Sequence, residues 1–267
     1  MRDKLVRDLG LRALGALGMH GVRRIPRLEL VSLIESLHPV DAGIELIRLG
    51  PDGDGGYLVP DDLDGIEYAF SPGVSDESGF EAALAARGIR VFLADYSVDG
   101  PAESNPLFGF DKKYVGCLEN EQFITLDGWK QARAPEYSGD LLVQMDIEGG
   151  EFETIMNLSP ALLKQIRIFV IEFHYLHQLW NKPWFLLVSR VFEKLLGTHT
   201  VVHIHPNNCC GSFTSRGLTL PRIAEFTFLR NDRVKTRRYR SDFPHALDRE
   251  NVPGKRPLVL PRCWYRD

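Results

Sequence analysis

Residues Leu141-Leu142-Val143-Gln144-Met145-Asp146-Ile147-Glu148-Gly149-Gly150-Glu151-Phe152-Glu153 decide the fold. Five residues without a charge make a buried strand, and Asp146 and then Glu148 follow at its carboxyl end. Carboxylates at the tip of an apolar strand are costly to desolvate unless they are used. Gly149 and Gly150 relax the turn, and Glu151 opens a helix, where negative charge suits the dipole. A strand that feeds a helix in this way is a unit of a parallel sheet.

The same alternation runs outward in both directions. Upstream, Ile44–Arg48 and Gly56–Val59 read as short strands split by the turn-rich residues 51–56, followed by a strand over Ile66–Phe70, a helix over Gly79–Arg87 and a strand over Arg90–Asp95. Lys113–Leu118 and Phe123–Leu126 are weaker strand candidates. Downstream, the helix runs to Leu158, and Ser159 with Pro160 starts a short helix ending at Gln165. A β-branched strand over Ile166–Phe173 and a helix over Trp184–Leu196 follow. Val201–His205 and Ala224–Arg230 have no helix between them, which predicts an antiparallel pair. The expected fold is α/β: a mainly parallel Rossmann-like sheet with an antiparallel C-terminal hairpin and helices on both faces.

Residues 41–267 read as one domain and 1–40 as an N-terminal helical extension, on the spacing of Leu5, Leu9, Leu14, Leu17, Leu28, Leu30, Leu33, Ile34 and Leu37. Within 1–27, Arg2, Lys4, Arg7, Arg12, Arg23, Arg24 and Arg27 face only Asp3 and Asp8. Such a helix either lies on an anionic membrane surface or a partner, or packs on the domain with a solvated basic face.

The whole chain of 267 residues has 32 Lys+Arg against 36 Asp+Glu, a net charge of −4. That balance does not suggest a nucleic-acid binder. Apolar residues at 44% and charged residues at 25% suit a globular core and exclude disorder, collagen and coiled coil. Cys117, Cys209, Cys210 and Cys263 form no CxxC pair, so neither a disulfide framework nor a zinc knuckle is expected. The reading is a reducing, cytoplasmic location, with the inner face of the membrane open through the basic helix. No apolar run spans a bilayer, and Met1–Arg27 lacks the pattern of a secretory signal.

In an open parallel sheet, ligands bind beyond the carboxyl ends of the strands. Those positions carry Ser71-Pro72-Gly73-Val74-Ser75, Asp95-Tyr96-Ser97, Asp146-Ile147-Glu148, Glu172-Phe173-His174 and Pro206-Asn207-Asn208. Gly73 and its small neighbours allow close approach of a ligand and leave helix N–H groups open. Asp95 stands 22 positions after Gly73, where an acidic side chain reaches a ribose. The missing glycines argue against a dinucleotide pyrophosphate and for a nucleoside without phosphates.

The segment Met145-Asp146-Ile147-Glu148-Gly149, with Glu151 two positions on, resembles the signature of FkbM-type S-adenosylmethionine-dependent methyltransferases. Ile124-Thr125-Leu126-Asp127, Ile171-Glu172-Phe173-His174, Asp54-Gly55-Gly56-Tyr57 and His203-Ile204-His205-Pro206-Asn207-Asn208 are similar to other elements of such proteins. The first-strand loop departs from the acidic-x-Gly-x-Gly-x-Gly pattern at Ser71 and Ser75. The resemblance covers roughly residues 44–230. It implies a class I methyltransferase with a seven-stranded sheet and S-adenosylmethionine as cofactor. Asp95 would hold the ribose. Ser71, Gly73 and Ser75 would line the methionine portion, with Gly55, Gly56, Tyr57, Tyr96 and Ser97 completing the cofactor site. The implied acceptors are hydroxyl groups of sugars, glycan ends or secondary metabolites.

Such a reaction needs an oriented hydroxyl and a base or a metal. Asp146, Glu148 and His174 are the catalytic candidates, with His174 as a base oriented by Glu172 or a neighbouring carboxylate. Asp146 and Glu172, with His205 completing the set, are candidate ligands of a divalent cation. Asn207, Asn208 and Trp180 are candidate acceptor contacts, and Tyr175 and Trp184 lie nearby in sequence. The basic run Arg230, Arg233, Lys235, Arg237, Arg238, Arg240 suits either an anionic acceptor or a solvated hairpin end. Two other readings compete: a metal-dependent hydrolase using Asp146, Glu148, Glu172 and the histidines, and a non-catalytic S-adenosyl-ligand-binding module.

Overall fold

The computed structural model describes residues 21–74 and 76–266. The expected helix over residues 1–20 and the loop residue Ser75 lie outside the described residues. Of the rest of the N-terminal extension, only α1 (Arg27–Ser36) is helical. Residues 21–26 are not, and Arg24 forms an isolated antiparallel bridge with Asn181. Pro26 accounts for this boundary, because the residue before a proline is driven out of the helical region.

The chain continues through β1 (Val40–Asp41), β2 (Leu46–Leu49), β3 (Tyr57–Pro60), β4 (Tyr68–Pro72), α2 (Gly79–Ala85), β5 (Arg90–Ala94) and β6 (Phe108–Asp111). Next come β7 (Tyr114–Gly116), β8 (Phe123–Thr125), α3 (Leu126–Arg133), β9 (Leu141–Met145), α4 (Glu151–Asn157), α5 (Pro160–Gln165) and β10 (Ile166–Phe173). The last third holds α6 (Lys182–Leu196), β11 (His199–Pro206), β12 (Ser212–Ser215), β13 (Leu218–Pro221), β14 (Ala224–Arg230) and β15 (Arg238–Tyr239).

Seven of these strands form one sheet in the order β11-β14-β10-β9-β4-β5-β6. β10, β9, β4, β5 and β6 run parallel, while β14 is antiparallel to both β10 and β11. This is the expected Rossmann-like, mainly parallel sheet with an antiparallel C-terminal pair. The order reverses between β4 and β9, so the cleft of the sheet opens at the ends of those two strands.

Alternation along the strands sends side chains to two cores. Phe70, Val143, Phe169, Phe173, Phe226 and Phe228 face the side covered by α1, α3, α4, α5 and α6. Ala69, Val91, Leu142, Val170, Val202 and Leu229 face the β2–β3 hairpin and α2. Both faces therefore carry helices, but among the described residues the second face has one short helix and relies on the hairpin. No helix among the described residues is long and apolar enough to cross a membrane.

Candidate functional site

A cavity of about 600 Å³ opens at the carboxyl ends of β4, β5 and β9. Its floor is Gly73, whose φ is +88°. Its N–H bonds the carbonyl of Ala94 at 3.0 Å, and the N–H of Asp146 bonds the carbonyl of Pro72 at 3.2 Å. A Cβ on Gly73 would overlap the Asp146 carbonyl, so only glycine lets the loop close against the neighbouring strand. On one wall stands Asp95, 8% exposed, whose Oδ1 accepts the N–H and the hydroxyl of Ser97, each at 2.7 Å. Tyr114, Val115 and Phe123 add an apolar face. Gly55 and Tyr57 also line the cavity.

The remaining expected cofactor residues sit otherwise. Gly56 is not on the lining: a Cβ there would strike the Pro51 carbonyl and the Arg48 guanidinium, so it serves the turn. Tyr96 packs its ring against Tyr114 at 5.2 Å. Ser71 is buried beneath the cavity, with its hydroxyl between Glu81 and Gln144 Oε1, the latter at 2.7 Å. With the Gln144 amide in this orientation, one hydroxyl proton cannot serve two acceptors, and a protonated Glu81 would supply the second bond. Burial agrees, pushing the Glu81 carboxyl up to about 7 against the opposing bond from Ser71. Gln144 then donates to the Tyr57 hydroxyl at 3.1 Å.

Across the cavity, Asp146, Glu148 and His174 converge, with one ligand atom from each lying within 4.8 Å of the others. Asp146 follows β9, and His174 follows β10. Glu148 takes a left-handed φ of +55° and is 87% exposed. Glu151, fully buried, holds the cluster from below: its Oε1 accepts from Gly149 N at 3.0 Å and bonds His174 Nδ1 at 3.0 Å. The sequence presents Glu151 only as a helix-opening acid, because its reach back to His174 exists only in the fold. Burial pushes Asp146 up to about 7; His174 pulls it back, and Glu151, Glu148 and Asp54 add to the rise. Burial lowers the His174 pKa, but Glu151, Asp146 and Glu148 outweigh it and raise it.

A polar row continues across the same sheet face. Glu172 pairs with Glu225, and Glu225 with His205, across β10, β14 and β11. Asn207 donates to Glu172 Oε1 at 3.0 Å, and Asn251 donates to Glu225 at 2.6 Å and to Asp54 at 3.0 Å. His205 is not among the ligand atoms that gather around Asp146. Its Nδ1 lies 3.6 Å from Asp248, which also bonds His203 at 2.8 Å. Asp248 lies far downstream, so the local sequence gave no sign of this partner.

The acceptor candidates divide. Asn208 exchanges two hydrogen bonds with the Val252 backbone and pins the C-terminal segment. Trp180 is 4% exposed and belongs to the helix-side core, with Arg216 over its ring, so it is a packing residue. Tyr175, 49% exposed, stands beside His174 and packs edge-on to Trp184 at 6.3 Å. The basic run is tied down rather than open: Arg230 pairs with Asp140 and Asp232, Arg233 with Asp62, Arg238 with Asp41 and Arg240 with Asp242.

No family model and no curated protein matches the chain. Among solved structures, it is similar to the N-methyltransferase NodS from Bradyrhizobium japonicum at 14% identity, over 62% of this chain and 87% of that one, with a TM-score of 0.33. It is similar to a human methyltransferase 10 domain containing protein at 12% identity, over 85% and 95%, with a TM-score of 0.34. A mutant of the 16S rRNA (adenine(1408)-N(1))-methyltransferase from Catenulisporales acidiphilia matches at 11% identity, over 73% and 100%, with a TM-score of 0.31. The strand order and register above define the fold on their own: a Rossmann-like sheet of seven strands with β14 antiparallel between β10 and β11.

Proposed function

We propose that this chain is an S-adenosylmethionine-dependent methyltransferase of the FkbM type, acting on a hydroxyl of a sugar, a glycan end or a secondary metabolite. The observation that carries the reading is the cleft at the strand ends, with Asp95 on one wall and Asp146 and Glu148, backed by His174, on the other. The residues fit the cofactor. The volume is that of a small-molecule site. The Asp95 carboxylate, fixed by Ser97, suits ribose hydroxyls, and the face of Tyr114, Val115 and Phe123 suits a flat base. When bound, S-adenosylmethionine supplies a methyl group on a sulfonium that is already electrophilic.

The chain's own residues then have two tasks. One is orientation of the acceptor. Tyr175 and Trp184 offer an aromatic surface beside His174, in place of the buried Trp180. The other is removal of the hydroxyl proton. Asp146 lines the cleft with its carboxyl pushed up to about 7 by burial, and His174, its pKa raised by Glu151, Asp146 and Glu148, adjoins it, so the pair is the candidate acceptor of that proton.

S-adenosylhomocysteine titrated by calorimetry tests this. Wild type binds in the micromolar range, and Asp95→Ala binds at least about tenfold more weakly, the size expected for losing charge-assisted hydrogen bonds. Absence of binding by wild type overturns the reading and leaves the metal-dependent hydrolase.

A further inference from the structure

We propose that Asp146, Glu148 and His174 bind one divalent transition cation, with Glu172 as an adjoining donor. The site does not need the cofactor to exist, but its use rests on the methyl-transfer reading above.

The first argument is the state of His174. It is 4% exposed, and its Nδ1 is bonded to Glu151 Oε1, which accepts backbone N–H groups as well. An imidazole that gives its Nδ1 proton to a carboxylate turns a lone pair outward on Nε2. That lone pair faces only acceptors: Glu148 Oε2 at 3.3 Å, Asp146 Oδ1 at 3.9 Å and Glu172 Oε1 at 4.0 Å. With Nε2 unprotonated, three carboxylate oxygens within 4.0 Å of it leave the place between them to a cation, which stands where a ring proton otherwise would. A carboxylate behind a histidine whose other nitrogen faces a ligand sphere is the usual support of a metal-bound imidazole.

The second argument is independent of that cluster's charge. Glu172 is 3% exposed, and only its Oε1 has a donor, Asn207. Its Oε2 is buried without a hydrogen-bond partner, and so is Oδ1 of Asp146. Buried carboxylate oxygens are nearly always satisfied; a cation at the cluster satisfies the Asp146 oxygen, and the Glu172 carboxylate, its Oε1 4.0 Å from Nε2, adjoins it with a second oxygen free to turn toward the ion.

The spacing agrees. Ligands held at about 2.1 Å from an ion stand about 3 to 4 Å from one another; the Glu148 and Asp146 oxygens lie 3.3 and 3.9 Å from Nε2, and the set, all within 4.8 Å of one another, closes on an ion by a small turn of the exposed Glu148 side chain. An imidazole among carboxylates favours Mn²⁺, Fe²⁺ or Zn²⁺ over Mg²⁺ or Ca²⁺, which prefer oxygen alone. Asp146 and Glu148 also line the large cleft, so the ion would stand at the edge of the volume proposed for the acceptor. There it would lower the pKa of a bound hydroxyl.

The test is titration of Mn²⁺ into the full chain, with free Mn²⁺ read by electron paramagnetic resonance. Wild type takes up one Mn²⁺ per chain, and Zn²⁺ displaces it. Glu148→Gln weakens binding at least about tenfold, the scale of losing one ligand or its support. Because Glu148 is 87% exposed, that variant keeps the wild-type Tm and decides the matter even where His174→Gln misfolds. Absence of saturable uptake by wild type, or equal uptake by Glu148→Gln, overturns the site. Calorimetry with S-adenosylhomocysteine on the same preparations separates the two readings. Mn²⁺ uptake without nucleoside binding keeps the ion and removes methyl transfer, and nucleoside binding without Mn²⁺ uptake does the reverse.

Discussion

A methyl group added at Gly73 would enter the space of the Asp146 carbonyl oxygen, and φ there is +88°. Gly88 has a similar φ of +82°, with no atom within 4 Å of the same position. The pair separates backbone conformation from close approach. Gly88→Ala should cost about 1 kcal/mol, the penalty of the left-handed region alone. Gly73→Ala should cost more than about 2 kcal/mol and weaken S-adenosylhomocysteine binding at least tenfold, because strand ends β4 and β9 must part. Urea unfolding and calorimetry on both variants check this, and equal losses would deny the close approach any role. Gly73, Asp95, Asp146 and His174 were legible because strand ends are where an α/β sheet exposes function. Glu151 and Gln144 were not, since each acts through a partner that only the fold supplies. His205 has a neighbour the local sequence did not show either: Asp248, 3.6 Å from its Nδ1, comes from far downstream instead of a strand end.

Arg48 holds together the element that roofs the cleft. Its Nε and Nη2 donate to the Pro51 carbonyl at 2.9 and 2.7 Å, and Nη2 also donates to the Gly53 carbonyl at 2.8 Å. These bonds fold the loop between β2 and β3 so that Gly55 and Tyr57 reach the cavity. Arg48→Met keeps the aliphatic stem but leaves the Pro51 carbonyl without its donor, while the Gly53 carbonyl keeps the Gly56 N–H, and should cost about 1 to 2 kcal/mol. The loop should then be cut faster by protease, and S-adenosylhomocysteine should bind more weakly. Unchanged proteolysis would show that the loop holds its shape without the guanidinium. At this scale the sequence was legible where periodicity was strong, as in β9, β10 and α6. It was silent on β6, whose Phe108-Gly109-Phe110-Asp111 includes a glycine lying against Phe92 and shows no clean alternation. It also missed α3, which starts where Thr125 caps it by accepting from Gly128 N at 3.0 Å. The Thr125-Leu126-Asp127 element is thus structural: Asp127 accepts from Ser159 N at 3.0 Å and ties α3 to α5.

For the molecule as a whole, buried histidines of opposite sign set limits on stability at both ends of the pH scale. His199 is 1% exposed, and its Nε2 faces the Ile166 carbonyl at 2.9 Å while Thr198 bonds Nδ1. Burial lowers its pKa from 6.5 to about 4, outweighing the Ile166 carbonyl. Below pH 6.5 the unfolded chain therefore takes a proton that the folded chain refuses. Stability falls as pH drops, and about 3 kcal/mol is lost by pH 4. His205 goes the other way. Burial opposes its charge, but Asp248, Glu225 and Glu250 raise its pKa to about 9. Its contribution is complete below pH 6.5 and disappears as pH rises through 9, again about 3 kcal/mol. Glu81 and Glu225, pushed up to about 7 mainly by burial, add a loss between about pH 4.5 and 7. These acids blur the raw curve, so the informative quantity is the difference between variant and wild type at each pH. His199→Gln should gain on wild type as pH falls from 6.5 to 4 and show a constant offset above that range. His205→Gln should lag wild type most below pH 6.5 and draw level above pH 9. Urea midpoints measured from pH 4 to 10 decide it, and parallel curves for either variant would mean that the histidine does not titrate differently in the folded chain.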